Sequence, residues 1–274
     1  MYKNRLYIIE NKTSLHVGSG DVNFGIIDKQ IQRDAITNYP TIHSSSLKGA
    51  LKEYCTHKHD AAQSENFLSY IFGDEDHSGK VRFIDSHLLS VPMRSDLNPY
   101  YHCVSPKSIG QLLDFADTFG IDLENRAALE KFANANDNKI VVAEGTPTIE
   151  DEKAEPSTDY DFSVLESFVG SPIALVPNAT FDELLKDLPV IARNQLENGV
   201  SKNLFYEEVL PRKSKFFTII SEPSYLHEDD KKSLENAFKR FNDYLTDSDT
   251  IHIGANASIG YGVCTFKEIK CVEK

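Results

Sequence analysis

The feature that most constrains the fold of this chain is a strand–helix–strand pattern at its N-terminal end, which recurs at its C-terminal end. Residues 4–17 predict a long, mostly buried strand, because apolar side chains occur on both of its faces. Three serines at 44–46 offer a helix cap, and residues 47–54 carry apolar side chains at helical spacing. The strands that complete this unit are predicted at residues 79–86 and 88–94.

The C-terminal unit begins with an apolar strand at residues 215–220 and continues with an amphipathic helix at residues 229–245. Strands at 251–253 and 261–269 then close the chain around a glycine-rich turn. If the central part is set aside, the order is strand, helix, strand, repeated once. This is the split βαβ order of ferredoxin-like and RNA-recognition domains, and it predicts an α+β fold without indicating a function.

The central part of the chain is predicted to be an insertion into this core. We expect a single domain over residues 1–274, with its core at about 1–104 and 212–274 and an inserted segment at about 105–211. Helices are predicted at residues 105–119 and 125–133. Residues 144–161 are acidic, polar and contain two prolines, which predicts a surface loop. We therefore expect deletion of residues 145–160 to leave the fold intact.

The net charge of −13 argues at first against a nucleic-acid partner. Its distribution weakens that argument, because residues 111–189 carry 17 acidic and 5 basic side chains while the flanking parts are nearly neutral. Each flank can therefore present a local basic surface. No apolar run is long enough to span a membrane, and residues 1–10 lack the apolar block of a signal peptide.

Four cysteines occur, and none of them forms a C-x-x-C pair or has a histidine at zinc-finger spacing. They are interpreted as reduced thiols, and the expected location is cytoplasmic. The four residues are Cys55, Cys103, Cys264 and Cys271.

Short motifs recur in a fixed order near both ends of the chain. They are His16-Val17-Gly18-Ser19-Gly20, Ile27-Asp28-Lys29-Gln30-Ile31-Gln32-Arg33, Tyr39-Pro40-Thr41-Ile42, Ser44-Ser45-Ser46-Leu47-Lys48-Gly49, Ile71-Phe72-Gly73, the stretch 79–85, Pro92-Met93-Arg94-Ser95 and the glycine-rich stretch 253–262. In this order they resemble the RAMP superfamily of CRISPR-associated proteins, most closely the backbone subunit of type III-B (Cmr) effector complexes. A type III-A relative stays an alternative, although the acidic insertion and the segments 192–199 and 207–211 favour type III-B.

The resemblance implies a ferredoxin-like, RNA-recognition-motif core with large insertions and a β-hairpin thumb. It implies binding of guide crRNA and target RNA, head-to-tail stacking of further copies into a filament, and contact with other subunits of a type III complex. It also implies metal-dependent cutting of target RNA at regular intervals, with Asp28 at the position of the family's essential acidic residue. A scaffold subunit without catalysis and a guide-processing endoribonuclease are the alternatives.

RNA can be cut by its own 2′-OH, which attacks the neighbouring phosphate when the geometry is in line. Asp28 could take the proton or hold a transient Mg²⁺ or Mn²⁺ ion, because oxygen ligands suit these cations. His16 follows the first predicted strand and could act as an acid or a base. The alternative is that both are ordinary loop and strand-end residues.

Three groups of residues are predicted to bind RNA. Helix N-termini bind phosphate, which suggests guide binding by Ser45, Ser46 and Lys48, with Arg33 reaching the same backbone. Plain capping and a surface ion pair are the alternatives. Glycines allow close approach of backbone to phosphate, and the residues concerned are Gly254, Asn256, Ser258, Gly260 and Gly262.

The third group lies in the predicted thumb hairpin at about 195–211. Leu204, Phe205 and Tyr206 suit wedging or stacking between bases. Glu207 and Glu208 could contribute to the cutting site of a neighbouring subunit. A hairpin whose aromatic side chains pack on their own domain is the competing interpretation.

Overall fold

The computed structural model describes residues 2–20, 27–58, 66–198, 200–224, 228–247 and 249–271. The strands are β1 (Tyr2–Asn11), β2 (Thr41–Ile42), β3 (Arg82–Phe83), β4 (Ser86–Arg94), β5 (Tyr100–Val104), β6 (Ile140–Val142), β7 (Thr148–Ile149), β8 (Glu152–Pro156), β9 (Ile173–Leu175), β10 (Val190–Glu197), β11 (Val200–Glu208), β12 (Lys215–Pro223), β13 (Ile251–His252) and β14 (Val263–Ile269). The helices are α1 (Ser44–Lys58), α2 (Asn66–Phe72), α3 (Pro106–Thr118), α4 (Arg126–Ala133), α5 (Ser163–Val169), α6 (Asn178–Leu184) and α7 (Glu228–Thr246), with a 3₁₀ turn at Ala257–Ile259.

Four strands form the centre of the fold in the spatial order β14, β1, β12, β4, and each neighbouring pair is antiparallel. In the chain, β1, β4, β12 and β14 follow one another as the four strands of two βαβ units. In the sheet they are arranged in the order fourth, first, third, second. Helices α1 and α2 connect β1 to β4, and α7 connects β12 to β14. The predicted ferredoxin-like arrangement is therefore confirmed.

Both faces of the central sheet are covered, which explains why β1 is apolar at both parities. Tyr7 and Ile9 belong to a core that includes α1, α2 and α7. Leu6 and Ile8 belong to a second core that includes α3, α4 and α5 from the insertion. Because successive side chains of a strand point to opposite faces, a strand buried on both sides must be apolar throughout.

The insertion extends the central sheet beyond β4 through β5, β9, β6, β8 and β7. The predicted surface loop at 144–161 is wrong, because this stretch contains β7 and β8. Ile149 is fully buried and Ala154 is buried, and both belong to the core. Glu150 also pairs with Arg94 across 2.7 Å. The expectation that residues 145–160 are dispensable therefore loses its premise.

Several predicted boundaries change for identifiable reasons. Helix α3 is capped by Ser105, whose side chain accepts from Ser108 N, so the predicted start is close to the observed one. Strand β1 ends at Asn11 rather than residue 17, because the Asn11 amide donates to Thr13 O and Pro211 O and turns the chain. Of the strand predicted at 79–86, only β3 forms.

Strands β10 and β11 form a separate two-stranded hairpin outside the main sheet. A hairpin thumb was predicted at 195–211, and a hairpin is observed. It begins earlier than predicted, at Val190, and ends earlier, at Glu208. Leu210 instead bridges to Leu15 beside the core. Within the described residues, no helix is long and apolar enough to cross a membrane.

Candidate RNA-binding and catalytic site

An open groove of about 850 Å³ lies between the hairpin, the loop after β1 and the loop that carries Asp28. Two neighbouring segments near the start of the chain and the distant hairpin therefore meet at one place. Its lining residues are His16, Gly18, Ser19, Gly20, Asp28, Lys29, Gln30, Arg193, Asn194, Gln195, Asn203 and Phe205.

Asp28 is held at the groove by main-chain pairing with β11. Its backbone N donates to Tyr206 O at 3.1 Å, and its Oδ2 accepts from Tyr206 N at 2.7 Å. The residue is exposed and lines the groove, so its carboxylate is not enclosed. Asp28 is consequently fixed in position while it stays accessible to a ligand, as a reactive group requires.

Lys29 continues the same pairing and places a cation beside Asp28. Its backbone N donates to Tyr206 O at 3.0 Å, and Glu208 N donates to Lys29 O at 2.9 Å. The Lys29 Nζ lies 4.3 Å from the centroid of the Phe205 ring, within the range of a cation–π contact. Phe205 therefore packs inside the groove rather than projecting as a free wedge.

His16 lies at the back of the groove and is only 3% exposed. Its Nδ1 is 2.7 Å from Glu208 O, and since a carbonyl can only accept, Nδ1 carries the hydrogen. Its Nε2 faces Glu207 Oε1 at 3.7 Å. A Cβ at Gly18 would lie 3.1 Å from that Nε2, so glycine makes room for the ring. The surroundings of His16 indicate that it joins the hairpin to the loop after β1.

Glu207 is 1% exposed and lies at the centre of a buried polar network. Its Oε2 is 2.7 Å from Arg193 Nε, and its two oxygens accept from Asn256 Nδ2 at 3.1 and 3.0 Å. The carboxylate is therefore buried and occupied within its own chain, and the role of Glu207 at a neighbour's cutting site stays a prediction. Asn256 is likewise engaged by Glu207 and is not free for RNA.

Glu208 and Arg33 form an ion pair with an N–O distance of 2.5 Å. Glu208 is buried and also accepts from Ile31 N at 3.1 Å, while Arg33 donates to Leu185 O at 3.2 Å. Both side chains are therefore engaged within their own chain, while a neighbour's site for Glu208 and guide binding for Arg33 stay predictions. Arg33 is ion-paired, as its alternative interpretation expected, but its partner is buried rather than at the surface.

The start of α1 lies beside a second pocket of about 620 Å³, which is lined by Ser45, Lys48 and Lys52 among others. Ser45 is exposed, and Lys48 makes no ion pair with any residue that the structure describes. Ser46 differs, because its Oγ already accepts from Gln32 Nε2 at 3.0 Å. Ser45 and Lys48 thus remain available for phosphate, whereas Ser46 helps to attach α1 to the loop of residues 27–33.

Most glycines of the glycine-rich loop are explained by backbone conformation and close packing within the chain. Gly254 has a φ of +86°, and a Cβ there would lie 2.4 Å from His16 O. Gly262 has a φ of +72°, and its Cβ would lie 2.1 Å from Ile253 O. Gly254, Ser258 and Gly260 are exposed, and Gly260 has open space around its Cα, so Ser258 and Gly260 are the positions without a packing role that stay candidates for phosphate contact.

The predicted wedge residues fall on two faces of the hairpin. Phe205 faces the groove, whereas Leu204 and Tyr206 lie on the opposite face and are 54% and 38% exposed. Successive side chains of a strand alternate in this way. Leu204 and Tyr206 therefore remain candidates for contact with bases or with another protein copy.

The described residues of the groove do not provide the ligand set of a resident metal site. No cluster of three or more metal-ligating side chains occurs among the described residues. Asp28 is also the one carboxylate among the described residues that line the groove. A divalent ion that stays in a protein without its substrate usually needs several protein oxygens, so the donor set does not fit one.

Sequence reasoning missed Arg193, which enters the groove from β10. Arg193 was missed because its strand, β10, was not predicted; only the second arm of the hairpin was. Arg193 lies opposite Phe205 in the register, and counting back from the aromatic residues across the turn would have located it.

A family model described as the RAMP superfamily matches residues 8–265. The "CRISPR system Cmr endoribonuclease Cmr4" of Pyrococcus furiosus is 25% identical over 283 residues, which cover 94% of this chain and 93% of that protein. The "CRISPR system CMR subunit Cmr4" of Saccharolobus solfataricus is 37% identical over 91 residues, 32% of this chain and 29% of that protein.

Solved structures show the same fold. A chain of the "Type III-B Cmr-beta bound to cognate target RNA" matches with a TM-score of 0.80 and 18% identity, covering 97% of both chains. The "oligomeric Cmr4 from Pyrococcus furiosus" matches with a TM-score of 0.72 and 21% identity, covering 98% of this chain and 99% of that one.

Proposed function

This chain belongs to the RAMP superfamily, and from that premise we propose that it is a backbone subunit of a type III-B CRISPR effector complex, which binds guide crRNA and cuts complementary target RNA. The near-complete overlap with a protein named as a Cmr endoribonuclease supports the proposal. So does the fold shared along 97% of the chain with a subunit of a complex bound to target RNA.

The observation that carries the catalytic part is the position of Asp28. Its loop is fixed to β11 by three hydrogen bonds to Tyr206, yet its carboxylate is exposed at the groove. Structural carboxylates of this chain, such as Glu207 and Glu208, are buried and paired instead. An accessible carboxylate held in a fixed place suits a role in proton transfer.

In the proposed reaction, the RNA 2′-oxygen attacks the adjacent phosphorus while Asp28 accepts the 2′-hydroxyl proton. The P–O5′ bond breaks, the departing 5′-oxygen takes a proton from water, and a 2′,3′-cyclic phosphate remains. The groove must hold these atoms in line, which is the larger part of the rate gain in such reactions. Lys29 supplies positive charge near the phosphate.

A Mg²⁺ or Mn²⁺ ion is proposed to arrive with the RNA, since Asp28 would be its single protein ligand. When bound, such an ion neutralises phosphate charge. We expect the RNA-free protein to retain no Mn²⁺ in equilibrium dialysis, while chelation stops cutting by the assembled complex. Retention of one equivalent of Mn²⁺ without RNA, or cutting that survives chelation, would contradict this expectation.

The scaffold role is proposed to involve two surfaces. Ser45 and Lys48 at the start of α1, with Ser258 and Gly260, are available for the guide backbone. Leu204 and Tyr206 on the outer face of the hairpin are available for a further copy in a head-to-tail filament or for bases. Other subunits of a type III complex would complete the assembly. The four cysteines are free thiols, as a cytoplasmic location would leave them.

One observation favours a scaffold without catalysis. His16, Glu207 and Glu208 are buried and engaged, which leaves Asp28 as the single carboxylate among the described residues that line the groove. The test is a reconstituted complex containing guide crRNA and end-labelled complementary RNA. Catalysis predicts cuts at regular spacing, one for each stacked copy. An uncut target bound at full occupancy supports the scaffold, and cutting of precursor guide by the isolated chain supports a guide-processing nuclease.

A further inference from the structure

Arg193 lines the groove, and the proposed reaction gives it no role. It lies on β10 opposite Phe205, and its neighbours on the groove side are Gln195 and Asn203. Its guanidinium carbon is 4.8 Å from the centroid of the Tyr261 ring, a cation–π contact provided by the glycine-rich loop. The side chain is 20% exposed, so it is mostly enclosed yet reaches the groove.

The hydrogen-bonding capacity of Arg193 is incompletely used. Its Nε lies 2.7 Å from Glu207 Oε2, which makes an ion pair by distance, but the N–H does not point along a hydrogen bond. Its Nη2 is buried and has no hydrogen-bond partner among the described residues. Buried donors without partners are rare in native proteins and often mark a place where a ligand or water completes the site.

Glu207 balances the charge of Arg193 but does not saturate its donors. The carboxylate is shared with Asn256, which donates to both of its oxygens. Glu207 and Tyr261 thus fix the guanidinium from two sides and leave its remaining edge uncommitted. A planar guanidinium with free parallel donors matches a phosphate better than any other side chain does.

The charges in the groove point to the same ligand. Asp28 alone would repel a phosphate. Two cations also line the groove: Arg193 lies opposite Phe205 in the hairpin, and the Nζ of Lys29 lies over the Phe205 ring. A phosphodiester beside Asp28 would therefore lie next to two cationic side chains. The same arrangement opposes the extra charge that develops on the phosphate during attack.

We propose that Arg193 binds the RNA phosphate next to Asp28, and that Glu207 and Tyr261 are positioning residues for its guanidinium. The inference rests on the proposed function and deepens it by naming the residue that neutralises the phosphate. It also gives the buried Glu207 a role inside its own chain.

The test is single-turnover cleavage by the assembled complex, with Arg193→Ala, Arg193→Lys and Asp28→Asn compared with wild type. We expect Arg193→Ala to slow cutting by about 10²-fold, the usual effect of removing one donor to a developing anion. Arg193→Lys should lie between, because a point charge cannot donate in parallel. Guide and target binding should stay close to wild type, since base pairing supplies most of the target affinity.

Chemical rescue distinguishes loss of a phosphate contact from a structural defect in the Arg193→Ala protein. Guanidinium ion, added far below denaturing concentrations, should restore a measurable part of the Arg193→Ala rate and leave Asp28→Asn inactive. Arg126→Ala removes an arginine that is ion-paired on α4 and should cut at the wild-type rate. Glu207→Gln should lower the rate without abolishing guide binding.

Distinct results overturn the inference and the proposed function. If Arg193→Ala cuts at the wild-type rate while Asp28→Asn does not cut, Arg193 does not bind the phosphate and the proposed function stands. If Arg193→Ala loses guide binding and guanidinium restores nothing, Arg193 is a structural residue. If the wild-type complex does not cut, both fall together.

Discussion

At the scale of single residues, the groove is built around His16. Gly18 leaves room for its ring, and the backbone of Gly254 approaches its carbonyl oxygen closely. Its Nδ1 hydrogen binds the backbone of β11. Gly18, and Gly254 from the predicted phosphate-binding loop, therefore have a packing cause in the structure.

A second buried histidine makes folding stability depend on pH. Burial, assisted by the nearby Lys215, lowers the pKa of His102 to about 4, from its ordinary value of 6.5. The unfolded chain therefore binds a proton at higher pH than the folded chain, so this contribution is full above pH 6.5 and is lost as pH falls toward 4.

We expect wild type to lose up to about 3 kcal/mol of unfolding free energy from His102 between pH 6.5 and pH 4. In His102→Gln that component should be absent, which flattens the pH dependence relative to wild type. Urea unfolding at both pH values measures the difference. Parallel pH dependences in the two proteins would show that His102 titrates normally in the folded state.

At the scale of elements, the central strands could be predicted from sequence, whereas β8 and β10 in the inserted segment could not. Strand β1 has four consecutive buried apolar residues at positions 6–9, which is a strong signal. Strand β8 buries only Ala154 and exposes its charged neighbours, so its sequence looks like a solvated loop. The hairpin strand β10 was missed for a similar reason, because its alternation is polar and it lies outside the core sheet.

Strand β7 gives the clearest stability test of the insertion. Ile149 is fully buried and lies opposite the exposed Glu152 in the β7–β8 register. We expect Ile149→Ala to cost about 2–5 kcal/mol of unfolding free energy, and Glu152→Ala to cost less than about 0.5 kcal/mol. Deletion of residues 145–160 should destabilise at least as much as Ile149→Ala. Equal melting temperatures for wild type and Ile149→Ala would indicate that the stretch does not pack on the body.

At the scale of the whole molecule, the sequence analysis assigned Asp28 and His16 to a cutting site, and it assigned the hairpin to guide bases and to the site of a neighbouring subunit. The structure brings Asp28, His16 and the hairpin of one chain to the same groove. Burial then separates exposed groups such as Asp28 from enclosed ones such as Glu207. That separation depends on long-range packing between chain ends, which local sequence patterns do not contain.

Guide binding along the filament should depend on Lys48 through charge alone. We expect Lys48→Ala to weaken binding about equally for all guide sequences and to lower the salt slope by about one unit. Lys139→Ala, which removes an exposed lysine from the insertion, serves as the matched control and should bind as wild type. A sequence-dependent loss, or an unchanged salt slope, would indicate that Lys48 does not contact phosphate.

The most direct test of the central claim is target cleavage by a reconstituted complex carrying Asp28→Asn. The substitution keeps the size of the side chain and removes its charge, so a residue that accepts a proton should lose about 10²–10⁴-fold in rate. Guide and target binding should stay close to wild type. Loss of every regularly spaced cut with intact binding is the predicted result, whereas cutting at the wild-type rate would place the active site elsewhere.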